Sequence, residues 1–343
     1  MTTVTDFAKR LSRFLSEYLL HERNVSPNTL AAYRDAFVQY IDYMHTQKNI
    51  TVEKLYLKHL TRENVLGYLN WILDGRHCSP STRNYRLAAI HAFVSYLQYS
   101  IIEQSEEWQK ILSIKAMRTD KKAFNYLSPE GIRLLLRQPD VTTRQGRRHL
   151  AILSLMYDTG ARVQEIADLT VDCVRIDNEP YTIRLFGKGR KARIVPMVKE
   201  QVIHLRRYME ENHLDNSNMF GTPLFFNNRH VKLTREGVAH VLKTYADMAR
   251  IVNPSLIPDR ISCHSIRHSK AMHLLQSGVN LVYIRDILGH VSIQTTDIYA
   301  RADSNAKREA LEKAYVDLNP EVKSDRIWER DKNLREWLKE LNH

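Results

Sequence analysis

The sequence predicts a mainly α-helical protein of two domains with one small β-hairpin, and three observations carry that prediction. The first hundred residues repeat apolar positions at helical spacing four times. Residues 115–125 (KAMRTDKKAFN) then break the pattern with four cations and read as a linker. Only one segment, YTIRLFGKGRKARIVPM at 181–197, sets two β-rich runs around a glycine-containing turn. A chain of 343 residues has room for two cores. The expected divisions are an N-terminal domain at 1–114, the linker at 115–125, a larger domain at 126–318 and an extension at 319–343.

Each element has a local cause. Phe7, Leu11, Phe14, Leu15, Tyr18 and Leu19 form one apolar face of a first helix. Ser26-Pro27 starts a second, with serine as N-cap and proline at the first helical position, and Leu30, Tyr33, Phe37, Tyr40, Ile41 and Met44 follow on one stripe. A third begins near Thr61 and buries Val65, Leu69 and Ile72. A fourth begins at Ser79-Pro80 and carries Leu87, Ile90, Phe93, Val94 and Leu97. Beyond the linker, Ser128-Pro129 caps another helix, and HLAILSLMYDTG (149–160) is an apolar helix that stops at a glycine. Helical patterns resume from about Val198, with looser stretches near 213–232 and 251–262.

Charge and composition narrow the function. The net charge is +12, and most of the excess falls within residues 121–302. A polyanion would therefore be gripped chiefly there. No apolar run reaches the length that spans a bilayer, and no basic amphipathic anchor or lipidation signal suits a membrane surface. The first fifteen residues lack a secretory layout. Cys78, Cys173 and Cys263 are scattered, odd in number and without CxxC spacing, which excludes a disulfide framework and suits a reducing cytoplasm. HExxH, P-loop and GxGxxG motifs are absent. His264 and His268, at i and i+4, have no third ligand at metal-binding spacing, so no metal site is expected.

What remains is a set of cations and imidazoles near turns. Arg162 follows Gly-Ala, Lys188 sits in Gly-Lys-Gly, His264 and Arg267 are three apart, and His290 follows Leu-Gly, with Tyr299 nine residues further on. Singly, each has a structural explanation as a surface charge, a loop tip, a cap or a core histidine. In this order they resemble the tyrosine recombinase (lambda-integrase-like) family, in a Xer-type layout. The resemblance rests on TGARVQEIADL (159–169), GKGRKARIVP (187–196), HSIRHSKAMHLL (264–275), LGHVSIQTTDIYA (288–300) and, near the N-terminus, VSPNTLAAYRDAFVQYIDYM (25–44).

The resemblance implies a SAM-like, DNA-binding core-binding domain and a catalytic domain that close as a C-shaped clamp on duplex DNA. It implies DNA cleavage through a 3′-phosphotyrosine without metal, ATP or other cofactor, and a self-associated tetramer joined in trans through a C-terminal helix. The chemistry of the residues agrees with it. Arg162 and Arg267 can each donate paired hydrogen bonds to a phosphodiester, His264 and His290 can add more, and Tyr299 can attack phosphorus. By resemblance, Lys188 is the acid for the departing 5′-oxygen and His264 the proton acceptor near the tyrosine. Glu165 is expected to orient Arg162 or His264. Thr82, Arg83 and Arg86 in the fourth helix, and Arg190, Lys191 and Arg193 in the hairpin, are expected to face DNA from two sides.

The residues after Tyr299 predict a helix at 303–318 and a second amphipathic stretch at 326–341, the latter beyond the compact Xer layout. That extension favours integration or transposition of a mobile element. Xer-type dimer resolution, type IB topoisomerase chemistry and a non-catalytic DNA-binding regulator are the alternative readings.

Overall fold

The computed structural model describes residues 4–119, 125–187, 191–290 and 292–302. Lys188 and Arg190, the centre of the expected linker, and both predicted helices of the C-terminal tail lie outside the described residues. The chain divides into two compact units, Met1–Lys122 and Ala123–His343.

The first unit contains α1 (Asp6–Arg13), α2 (Pro27–Lys48), α3 (Arg62–Asn70), α4 (Pro80–Gln98) and α5 (Ser105–Leu112). Wider π-type turns extend α1 through Phe14–Glu22 and α3 through Trp71–Gly75. The Ser-Pro starts behave as expected. Ser26 and Ser79 each accept a hydrogen bond from the backbone N–H three residues on, at Thr29 and Thr82, with proline in the first turn. Thr61 caps α3 in the same way. The core is unusually aromatic: Phe7, Phe14, Phe37, Tyr40, Tyr68 and Phe93 are buried together with Trp108. Helix α5, which the sequence reading does not anticipate, is only two turns long. It owes its place to Trp108 and Ile111, which it buries in that core.

The second unit begins with α6 (Pro129–Leu136), capped by Ser128, and α7 (Arg144–Thr159). A short α8 (Val163–Ala167) leads to a three-stranded antiparallel sheet, with β1 (Val174–Arg175), β2 (Thr182–Phe186) and β3 (Ala192–Pro196) in that order. The predicted hairpin is β2–β3, with Ile183 opposite Val195 and Phe186 opposite Ala192. Its small first strand adds an edge that two residues cannot announce in sequence. Helices α9 (Lys199–Glu211), α10 (Arg235–Val252), α11 (Cys263–Gln276), α12 (Leu281–Leu288) and α13 (Asp297–Ala302) follow among the described residues. A large core joins α6–α10 and the sheet, while Ala271, Met272, Ile284, Leu288 and Tyr299 form a smaller cluster of their own. Among the described residues, no helix is long and apolar enough to cross a membrane.

Candidate active site

Two helix ends build the site. Helix α7 closes on Gly160 at φ +57, a left-handed conformation in which a Cβ would also come within 2.6 Å of Leu288. Helix α12 closes on Gly289 at φ +66, where a Cβ would lie 2.9 Å from the Arg193 side chain. The final carbonyls of a helix have no partners within it and carry the negative end of its dipole. Here arginines from three distant segments take them up. Arg193 Nε donates to Ile287 O at 2.8 Å, Arg267 Nη2 to Leu288 O at 2.7 Å and Arg162 Nη2 to Gly289 O at 3.2 Å. Arg267 Nη1 donates to Gly160 O at 2.7 Å, so one guanidinium ties both helix ends together. At 3% exposure Arg267 is buried, and that burial, followed by the nearby Arg162 charge, lowers its pKa to about 10. It stays protonated at neutral pH.

Glu165 neutralises part of this charge. Its carboxylate, 5% exposed, accepts a two-pronged bond from Arg193 Nη1 and Nη2 at 2.9 and 2.7 Å. It also accepts Arg162 Nη1 at 2.9 Å and the Arg162 backbone N–H at 2.8 Å. Burial pulls the carboxyl pKa upward, but the bonds and charge of Arg193, then Arg162, outweigh it and hold the group below its usual range. Glu165 thus orients Arg162 at the start of α8.

The imidazoles and the phenol lie on α11 and on the segment after α12. Tyr299 is 1% exposed, packed in its small cluster, with its backbone N–H bonded to Thr296 O at 3.0 Å. Its ring lies nearly parallel to that of His290, with centroids 6.3 Å apart, and His290 Nδ1 is 2.9 Å from Thr296 Oγ1. The Tyr299 hydroxyl is 2.9 Å from Nδ1 of His268. Burial raises the phenol pKa, while Arg267 and Arg162 draw it back. Burial, then the charges of Arg267, Arg162 and Arg193, pushes His290 down to about 4. Burial, then His264 and Arg267, does the same for His268. His264 is the open member of the group. Partial desolvation, then Arg267 and Arg162, lowers its pKa as well. All three rings are therefore neutral at pH 7 and offer one donor and one acceptor each.

The structure brings together Arg162, Glu165, His264, Arg267, His290 and Tyr299, and it adds two residues to them. His268 carries a sequence signal, four residues after His264, but that spacing suggests only a metal pair that lacks a third ligand. Arg193 is a correction. The sequence reading turns it toward DNA, yet its side chain is 11% exposed and turned onto Glu165 and Ile287. Period-two alternation holds the clue, since Arg193 shares the inward side of β3 with buried Val195 while Ile194 faces out. Arg83 is a second correction. It is not on an exposed face but 6% exposed, with Nε and Nη1 lacking partners among the described residues. Arg86 spends donors inside its own unit, on Ala32 O and Gln39 Oε1, both at 3.1 Å. Thr82 is half-buried, with its hydroxyl 3.0 Å from Ser79 Oγ, and Lys191 is exposed.

Comparison with known proteins identifies this arrangement. Residues 125–306 match the Phage integrase family, and residues 9–99 match the Phage integrase, N-terminal SAM-like domain. A Sinorhizobium fredii protein with a provisional integrase/recombinase name is 32% identical over 91% of this chain and 93% of its own. Tyrosine recombinase XerD of Staphylococcus epidermidis is 30% identical over 90% of this chain and 99% of its own. The fold is shared with XerH site-specific recombinase, in its post-cleavage complex with palindromic difH substrate, at a TM-score of 0.68 and 20% identity, covering 91% of this chain and 90% of that one. It is also shared with the Tn1549 transposon integrase in complex with transposon right end DNA, at 0.67 and 16%, covering 88% and 98%. The chain belongs to the phage integrase family of tyrosine recombinases, enzymes of site-specific DNA recombination.

Proposed function

We propose that this protein cuts and rejoins duplex DNA at a specific site through a 3′-phosphotyrosine on Tyr299. The observation that carries the reading is the convergence of Arg162, Arg267 and His290 on one buried tyrosine, at the joined ends of α7 and α12. Each of the two arginines uses part of its donor fork on carbonyls and keeps further N–H groups for the nonbridging oxygens of a phosphodiester. Neutral His264 and His290 donate to the same phosphate and steady the charge of its five-coordinate transition state. The Tyr299 oxygen forms a bond to phosphorus as the bond to the 5′-oxygen breaks. Lys188, which falls between β2 and β3 in the sequence, supplies the proton that oxygen takes up. One phosphoester replaces another, so bond energy is retained for rejoining. The test is a nicked suicide duplex. Wild type is expected to form a covalent adduct and Tyr299→Phe none; an adduct with the Phe variant would remove Tyr299 from the role.

Both units are proposed to bind duplex DNA, with two pairs of protomers exchanging strands through a Holliday junction. Roughly 6–10 phosphate contacts would weaken binding by about 10³–10⁵ between 50 and 200 mM salt. Affinity that hardly changed over that range would sink the DNA-binding reading. The proposed biological role is integration or transposition of mobile DNA, a reading that the integrase/recombinase name of the 32%-identical Sinorhizobium fredii relative favours. Mapping the DNA trapped on Tyr299 tests it: ends of a mobile element support this role, whereas a chromosomal dimer-resolution site would replace it.

A further inference from the structure

The imidazole within hydrogen-bond distance of the proposed nucleophile is not His264 but His268, one helical turn further along α11. Both sides of this contact are held in place. On α11, Arg267 is bound to two carbonyls, at Gly160 and Leu288. On the other side of His268, Ser269 is fully buried, donates to Ser265 O and accepts from the Leu127 backbone N–H, each at 2.8 Å. His268 sits between two pinned neighbours. The tyrosine ring is fixed by its packing, by the parallel ring of His290 and by the backbone bond to Thr296. The remaining freedom of a phenol is rotation of its O–H about the C–O bond, and a hydrogen bond to a fixed partner removes it.

We propose that His268 is a further catalytic residue: its Nδ1 accepts the Tyr299 hydroxyl hydrogen, fixes the direction of the O–H and receives the proton as the phenol oxygen attacks phosphorus. This rests on the reading of Tyr299 as nucleophile. The step balances. The Tyr299 oxygen gains a bond to phosphorus and its proton becomes the second N–H of the His268 imidazole. The 5′-oxygen leaves with a proton from Lys188. A bound phosphodiester adds negative charge beside Arg162 and Arg267. That offsets the Arg267 charge, which disfavours a protonated His268 in addition to burial, the larger cause. Geometry and substrate charge together make the imidazole a better acceptor when DNA is in place than when it is absent.

The experiment uses the full chain and a suicide duplex under single-turnover, saturating conditions. The variants are His268→Phe, which removes the acceptor, and His268→Asn, whose Oδ1 stands near the position of Nδ1 but takes up no proton. Loss of a positioned general base is expected to slow cleavage roughly 10²–10⁴-fold in His268→Phe, with duplex affinity within about twofold of wild type. His268→Asn is expected to recover about tenfold of that loss by restoring the orientation. A duplex with sulfur in place of the scissile 5′-oxygen has a leaving group that needs no proton. It should leave both His268 defects in place. Wild-type rates in His268→Phe would overturn the proposal, and so would full rescue by the sulfur substrate. Should His268→Phe fail to fold by circular dichroism, His268→Asn decides alone: a loss of tenfold or more that sulfur does not repair supports the proposal, and an unchanged rate overturns it. Tyr299→Phe runs in parallel. An adduct there would defeat the nucleophile assignment, whereas no adduct there with unaffected His268 variants defeats only the role of His268.

Discussion

Buried tyrosines in the two units make opposite use of the same side chain. Tyr40 and Tyr68 sit in the aromatic core of the first unit, edge to face at 5.4 Å, with hydroxyls donating to His59 O and Ala36 O. Burial is the leading cause that raises the pKa of both. A backbone carbonyl can accept a phenol hydrogen but has no use for its proton, so these groups are structural. Tyr299 is equally buried, yet its hydroxyl meets an imidazole, and two guanidiniums pull its pKa back down. Burial alone therefore does not mark a reactive phenol. The acceptor does, because Arg86 and Arg76 draw the Tyr68 pKa back as well and leave that phenol on a carbonyl.

Exchanging features between the regions tests that difference. The largest effect is expected at the hydroxyl itself. Tyr299→Phe should abolish adduct formation while retaining the fold, whereas Tyr40→Phe should keep adduct formation and cost about 1 kcal/mol in denaturant unfolding. Next comes the charge network, which has no counterpart in the aromatic core. Glu165→Gln leaves Arg162 and Arg193 short of a buried partner and should destabilise the second unit by about 3–5 kcal/mol, measured by chemical denaturation, with cleavage slowed along with it. Truncating the aromatic core instead, with Phe93→Ala, should cost about 3–5 kcal/mol in the first unit. Its single-turnover cleavage at saturating protein and low temperature should stay near wild type. Gly289→Ala forces a side chain into φ +66 against Arg193, and a loss of about 1–3 kcal/mol is expected.

The smallest effect is a pH dependence. His149, His268 and His290 have folded pKa values near 4, each lowered first by burial. Unfolding restores a value near 6.5, so the unfolded chain binds more protons between those limits. Stability contributed by these neutral rings is complete above about pH 6.5 and falls as pH drops toward 4. Asp158, raised by burial to about 6, acts in the opposite sense, since its native carboxyl takes up a proton first as pH falls. Three groups against one predict a net loss, visible in calorimetry as a midpoint that declines from pH 6.5 to 4.5. All four groups belong to the second unit, so its transition should move more than that of the first. A midpoint that rose on acidification would contradict the buried, neutral state of these rings.

The sequence by itself determined the helical class, the paired Ser-Pro helix starts, the glycine stops, the hairpin and the arginine, histidine and tyrosine set. Those signals are local: a serine caps the N–H three residues on, and an apolar stripe needs only its own periodicity. Only the tertiary structure decided that Arg193 turns inward, that Arg83 is buried and that three arginines gather on the end of α12. It also decided that His268, rather than His264, reaches the phenol. These outcomes depend on contacts between residues 21 to 127 positions apart, such as Arg267 with Leu288 and Arg162 with Gly289. No spacing rule reports where two distant helix ends will meet. An arginine reads as a surface charge until the fold presents it with unpaired carbonyls and a buried carboxylate. At that point desolvation without those partners would cost more than the turn inward.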